Sequence, residues 1–274
     1  MTTTRIAVGQ AAAETGNIAH NVATACRLVR GAAERGAALL LLPELFLCGY
    51  DLGAMARNPD AMAITADDPL LTPLRACCRE YAISLVVGAC LASQIGRTNS
   101  ALVIGANGET AAVYDKIHLW TTEMPHFAPG DSRRLVDLDG FHVGLAICYD
   151  AGFPEHCRAL ALAGADLILC PSAFSRGEEE RRYDLYFPMR ALENTVYLAV
   201  ANLVGSADGQ NFFGRGAVFA PSGAALATAG AAEEVIVAEI SHAMLAATRR
   251  DLRYLEHRRP AMYGALTKEE MEHE

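Results

Sequence analysis

With 274 residues, 52% of them hydrophobic and 20% charged, the chain has the composition of a folded globular protein and can bury one large core. Its formal net charge of −9, from 32 acidic against 23 basic residues, comes without a basic stripe able to neutralise a row of phosphates, which argues against a nucleic-acid partner. The chain does not open on a charged segment followed by a long apolar stretch, and no apolar run approaches the roughly 20 residues that span a bilayer, so the sequence reads as cytoplasmic, with no membrane partner.

Short aliphatic runs alternate with amphipathic stretches along almost the whole length, the pattern of α/β construction. Ile6 to Gln10 reads as a strand. After Asn17, a helix carries Ile18, Val22, Ala25, Cys26 and Val29 at helical spacing, closed by Gly31 and Gly36. Leu39 to Leu42 is a buried strand ending in Pro43-Glu44. A helix over Pro73 to Tyr81 leads to a strand at Ser84 to Ala89, and a hairpin joins Ala101–Ile104 to Thr110–Tyr114. Its turn, Gly105-Ala106-Asn107-Gly108, is expected to use the Asn-Gly pair for positive φ angles.

The later half repeats the alternation. Strands are expected at Val143–Ile147, Asp166–Cys170, Tyr197–Ala201, Gly216–Phe219 and Val235–Glu239, with helices at Pro154–Ala163, stopped by Gly164, and from Pro188 to about Thr195. Ser241 to Arg259 is mostly helix-forming, and is read either as a solvated terminal helix or as an arm packing on a second subunit. Hairpin and helical links together predict mixed rather than purely parallel sheets. Without a linker or an internal repeat, one domain over residues 1–260 with a tail at 261–274 is the simplest division.

Eight cysteines contain no CxxC pair and lie largely in apolar runs, so most read as reduced thiols packed as small apolar side chains. Only two of the 23 basic residues are lysines, Lys116 and Lys268. In a chain so biased toward arginine, a lysine in an ordered segment marks a place where a compact ammonium is wanted.

Three residues stand where an apolar strand ends and loops gather: Glu44, Lys116 and Cys148. Cys148 lies between a buried strand and a turn into a helix, a junction that can aim a thiol outward beside backbone N–H groups. Each has an ordinary alternative: a small core residue for Cys148, a solvated carboxylate for Glu44, a surface ion pair for Lys116. Together they supply a nucleophile, a proton carrier and a fixed positive charge, the set that cleavage of a carbon–nitrogen bond by a thiol requires.

The blocks Pro43-Glu44-Leu45-Phe46 with Gly49-Tyr50, Asp115-Lys116-Ile117-His118-Leu119, Phe127-Ala128-Pro129-Gly130 and Ile147-Cys148-Tyr149-Asp150 with Phe153-Pro154-Glu155 resemble, in order and spacing, the signature blocks of the nitrilase superfamily of carbon–nitrogen hydrolases. Later blocks, among them Pro171-Ser172-Ala173-Phe174 and Arg190-Ala191-Leu192-Glu193-Asn194, extend the resemblance over about residues 5 to 260. The resemblance implies a four-layer α-β-β-α sandwich with two mixed β-sheets, a homodimer or higher homo-oligomer, and a Glu–Lys–Cys triad carried by Glu44, Lys116 and Cys148. It also maps a second glutamate, positioning substrate and lysine, onto Glu123.

The implied mechanism has Glu44 take the thiol proton while Cys148 attacks an amide carbon. Lys116 and the backbone N–H of Tyr149 hold the oxyanion, and an acyl-thioester is then hydrolysed without metal or organic cofactor. Cys-Tyr-Asp followed by Phe-Pro-Glu resembles the small amidases rather than the nitrilases, which points to a small non-peptide amide. N-carbamoyl hydrolysis and a binding protein without turnover are the alternatives. Tyr50, Trp120 and Phe174 are expected to line the acyl pocket, or else to be core.

Other signals read as structural. The spacing of His118, Glu123 and His126 matches no closed metal site. Arg176 reads as a loop charge, although it could meet a substrate carboxylate. Gly214-Arg215-Gly216 lacks the context of a phosphate loop. Asp150 and Glu155 are expected to orient backbone or cap a helix, with no proton chemistry.

Overall fold

The computed structural model describes residues 3–263. Fourteen strands and seven α-helices, numbered in chain order, alternate along it. One six-stranded sheet contains β1 (Thr3–Gln10), β2 (Leu39–Leu41), β3 (Ser84–Ser93), β4 (Gly96–Ile104), β5 (Thr110–Asp115) and, on the far side of β1, β14 (Glu234–Ser241). The other contains β6 (Leu135–Leu138), β7 (Phe141–Leu145), β8 (Leu167–Ser172), β9 (Tyr197–Asn202), β12 (Ala217–Phe219) and β13 (Ala225–Thr228). β10 (Val204–Ala207) and β11 (Gln210–Phe213) form a separate hairpin. Each large sheet has three parallel strands, β1-β2-β3 and β7-β8-β9, flanked on both sides by antiparallel ones.

The apolar runs are continuous because the central strands are covered on both faces. Along β2, Leu39 and Leu41 enter the core between the two sheets, while Leu40 and Leu42 enter the core beneath α1 (Ile18–Ala33) and α4 (Thr72–Glu80). Along β8, Leu167 and Leu169 face the other sheet. Ile168 and Cys170 face α5 (Pro154–Leu162) and α6 (Glu178–Asn194). Three apolar layers thus separate helix, sheet, sheet and helix, the four-layer α-β-β-α sandwich with mixed sheets. The short α2 (Leu52–Arg57) and α3 (Pro59–Met62) follow the first site loop, and α7 (His242–Asp251) follows β14. Among the described residues no helix is long and apolar enough to cross a membrane.

Several expected boundaries move. The helix expected from Pro188 starts ten residues earlier, at Glu178, and Pro188 lies inside it. Gly177, at φ 104, starts α6 and three glutamates fill its first turn, where the helix dipole favours them. The helix expected over Ser241 to Arg259 is confined to α7, capped where Ser241 Oγ accepts from Met244 N at 3.2 Å. In the hairpin turn only Gly108 has positive φ. Asn107 instead accepts from Glu109 N through Oδ1 at 3.0 Å. Strands β6, β10, β11 and β13 were not anticipated, and the expected tail lies outside the described residues from 264 onward.

Candidate active site

Glu44 is carried on the bend after β2, and two backbone features place it. Leu45 has φ 48, in the left-handed region that non-glycine residues seldom occupy. Gly88 of β3 lies directly beneath, where a Cβ would come within 2.3 Å of Leu45 N and 2.4 Å of Pro43 O. Only a glycine lets the bend pass this close to the sheet. The buried Asn21 of α1 holds the loop from the other side, donating to Leu47 O at 3.0 Å.

Lys116 leaves the end of β5 and stays paired with β4, its N–H donating to Asn99 O at 2.8 Å. Gly130 N donates to Lys116 O at 2.9 Å, across a gap in which a Cβ on Gly130 would lie 2.3 Å from Asp115 O. Cys148 follows β7 with φ 45, turning the chain out of the sheet into a short 3-10 turn at Cys148–Gly152 before α5. A left-handed nucleophile at a strand-to-helix turn is a local strain that the surrounding packing must hold.

The structure brings these segments together. Lys116 Nζ donates to Glu44 Oε1 at 2.7 Å and to Glu123 Oε1 and Oε2 at 2.9 and 2.8 Å. All three side chains are buried, so each charge depends on the others for its stability, and removal of one partner would leave an uncompensated charge. Glu123 is held further by Tyr50 OH at 2.9 Å and by Trp120 N at 2.8 Å. Cys148 is half-buried and close enough for the charges of Glu44, Lys116 and Glu123 to act on its thiol.

Asn99 is the member that sequence reasoning missed. It is buried on β4 and donates from Nδ2 to Glu44 Oε1 at 2.7 Å and to Glu123 Oε1 at 3.2 Å. The available signal was a polar run, Thr98-Asn99-Ser100, heading an apolar strand. Alternation sends Thr98 and Ser100 to the opposite face, where their hydroxyls bond each other at 2.8 Å. With Lys116 and Asn99 on Oε1, Glu44 Oε2 has no hydrogen-bond partner among the described residues, which leaves one carboxylate oxygen able to accept a proton.

The electrostatics follow from this enclosure. Burial, opposed by Lys116 and reinforced by Glu123, pushes the Glu44 carboxyl up to about 7. For Lys116, burial would lower the pKa, but the adjoining Glu123 and Glu44 outweigh it and keep the ammonium charged. The Cys148 thiol is pushed well above its ordinary value by burial and by Glu44, against the pull of Lys116 and the Ala173 backbone N–H. The resting pair is therefore a neutral thiol beside a carboxyl group that ionises near neutrality.

The sulfur opens into a narrow cavity of about 30 Å³ lined by Tyr50, Trp120, Tyr149, Phe174, Tyr186 and the polar rim Glu179, Arg182 and Gln210, with Ala173. Tyr50, Trp120 and Phe174 thus all reach it. Tyr50 and Phe174 are also buried among other aromatic rings. Trp120 packs edge-on against Tyr149 at 4.8 Å and lies beneath the Arg182 guanidinium at 5.5 Å. Asn202 of β9 fixes the Phe174 wall, accepting from Phe174 N at 2.7 Å and donating to its carbonyl at 3.1 Å.

Arg176 stays outside the cavity lining and pairs with Glu180 at 3.8 Å. Glu123 turns to Lys116 and His118 to Asp150, and among the described residues no cluster of His, Cys, Asp or Glu is placed to hold a metal ion.

The family model for carbon–nitrogen hydrolases matches residues 5–250. The chain belongs to the carbon–nitrogen hydrolase family. This hydrolase is 32% identical to an (R)-stereoselective amidase of a Pseudomonas species, over 96% of this chain and 94% of that one. It is 31% identical to the human omega-amidase, over 89% and 91%. Among solved structures it matches an amidase of the nitrilase superfamily from Nesterenkonia sp. AN1, in complex with acrylamide, with a TM-score of 0.84 at 30% identity over 96% and 97% of the two chains. In a glutamate-to-glutamine mutant of that amidase, the acetamide moiety of fluoroacetamide is added covalently at the active-site cysteine.

Proposed function

We propose that this hydrolase is an amidase that cleaves a small non-peptide amide to carboxylic acid and ammonia through an acyl-thioester on Cys148. The observation that carries the reading is a thiol at the floor of an aromatic-walled cavity, beside a buried lysine held by two glutamates. Glu44, through Oε2, takes the thiol proton as the sulfur attacks the amide carbon. Lys116 Nζ and the Tyr149 backbone N–H stabilise the oxygen of the tetrahedral intermediate. Glu44 returns the proton to the departing ammonia, then takes one from the water that attacks the thioester, and the acid and free thiol result. Glu123 keeps the ammonium in place, and Tyr50, Trp120 and Phe174 shape the acyl pocket.

The narrow, aromatic-walled cavity supports a short, compact acyl group. That relatives in both comparisons are amidases supports an amide rather than an N-carbamoyl substrate, and a protein that only binds would have no use for buried, mutually dependent polar groups.

The same proposal takes residues 1–260 as one domain, with 261–274 a tail, on the strength of the family match to 5–250. It places the enzyme in the cytoplasm as a homodimer or larger homo-oligomer. Eight free cysteines support a reducing compartment. The exposed Leu162 of α5 and the exposed Leu185 and Met189 of α6 support burial of that helical face against another copy.

Ammonia release from a panel of short amides, N-carbamoyl amines and nitriles tests the reading. Turnover confined to amides and lost in folded Cys148→Ala is expected. A silent panel with an unreactive Cys148 would overturn it.

A further inference from the structure

Lys116 and Cys148 are carried by different sheets, the first leaving β5 and the second following β7. A device that fixes one loop against the other is therefore needed, and Asp150 has the geometry for it. Its carboxylate is fully buried. Oδ2 accepts from Ile147 N at 2.9 Å and from Tyr114 OH at 2.7 Å. Oδ1 accepts from His118 N at 3.0 Å and lies 2.8 Å from His118 Nδ1. Ile147 directly precedes the nucleophile, and His118 stands two residues after the lysine.

The arrangement is built for a charged carboxylate. Burial alone would raise the pKa of Asp150, but hydrogen bonding from His118, the nearby His156 and the Tyr114 hydroxyl outweigh it and hold the group below its ordinary value. The His118 ring is itself fixed, stacked on Phe153 with centroids 3.8 Å apart and planes 13° from parallel. A carboxylate offers four acceptor directions, whereas an amide in its place would turn an NH₂ against one of these donors.

We infer that Asp150 is a positioning residue that sets the separation of the Cys148 sulfur and the Lys116 ammonium by fastening both loops to one carboxylate. The inference rests on the amidase reading only for the identity of the reacting pair. It acts through backbone, since the two amides it holds belong to the neighbours of the reacting residues. A misplacement of about 1 Å in such a site lowers rate by about 100-fold.

The test compares Asp150→Asn with Tyr114→Phe in the full chain. Tyr114→Phe removes a buried donor from the same carboxylate but leaves both backbone amides held, so it reports what lost stability alone does. Thermal unfolding is measured together with the rate at which 2-iodoethanol, an alkylating agent without a carbon–nitrogen bond, alkylates Cys148, followed by intact mass. Asp150→Asn is expected to slow alkylation about 100-fold, and to lower kcat by a similar factor with KM nearly unchanged, while Tyr114→Phe stays within about threefold of wild type.

If Asp150→Asn does not fold, His118→Phe keeps the ring on Phe153, removes the Nδ1 contact, and is expected to slow alkylation about fivefold. Wild-type alkylation in folded Asp150→Asn, or in His118→Phe if the first variant does not fold, overturns the inference. So does equal slowing in Asp150→Asn and Tyr114→Phe. Because alkylation needs no turnover, a silent amide panel with selectively slowed alkylation would remove the amidase reading and leave the positioning role intact.

Discussion

Cys148 and Cys170 belong to the ends of adjacent parallel strands, and burial raises both thiols, yet their surroundings differ in kind. Cys170 stays in β8, buried, with the Ser172 hydroxyl 3.6 Å from its sulfur. Cys148 has left its strand through a left-handed φ of 45 and feels a carboxyl group and an ammonium of opposite sign. Residue type does not separate them. Backbone direction at the strand end, and the charges it meets there, do.

Truncating each sulfur separates the two thiols most strongly. Cys148→Ala is expected to lower kcat by about 10⁴-fold or more with little change in thermal midpoint. Cys170→Ala should keep turnover within about threefold and lose on the order of 1 kcal/mol of stability by denaturant titration. Near-normal turnover in the first variant would move the chemistry elsewhere.

Lys116→Arg retains the charge but replaces a compact donor with a planar fork that cannot fit between Glu44 and Glu123. A loss of about 10³-fold in kcat is expected. Turnover near wild type in this variant would refute an oxyanion role for the ammonium.

The pH dependence of turnover reports on Glu44. With Glu44 pushed up to about 7, its base form is lost as pH falls through that value, so kcat/KM should drop about tenfold per pH unit below it and level off above. Asn99→Leu removes a donor that favours the ionised carboxylate, so the same limb should shift to higher pH. An unshifted limb would detach Asn99 from the base.

The smallest expected effect is at the pocket wall. Phe174→Ala should change kcat/KM by about 10-fold, mostly through KM, and extend tolerance toward longer acyl chains.

Much of the fold was legible because apolar period and strand-end punctuation are local signals. The alternation at Leu39–Leu42 and Leu167–Cys170 needs no tertiary knowledge, whereas the small strands β6, β10, β11 and β13 are defined by partners far along the chain. The start of α6 was obscured because Pro188, a residue that normally opens helices, lies in its interior.

At the site, Glu44, Lys116 and Cys148 stood out as reactive types at strand ends. Asn99 did not, since an amide among polar neighbours has no charge to announce it, and its role depends on β4 lying between two carboxylates. The rim residues Glu179, Arg182 and Gln210 were hidden for a related reason: they reach the cavity from α6 and β11, elements whose limits the sequence left undefined.

The enclosed acid pair around one lysine has a consequence for durability. Peroxide oxidises thiolates, and here burial and the neighbouring Glu44 carboxyl both favour the protonated thiol. A thiol held in that form offers less thiolate to an oxidant than an ionised cysteine would.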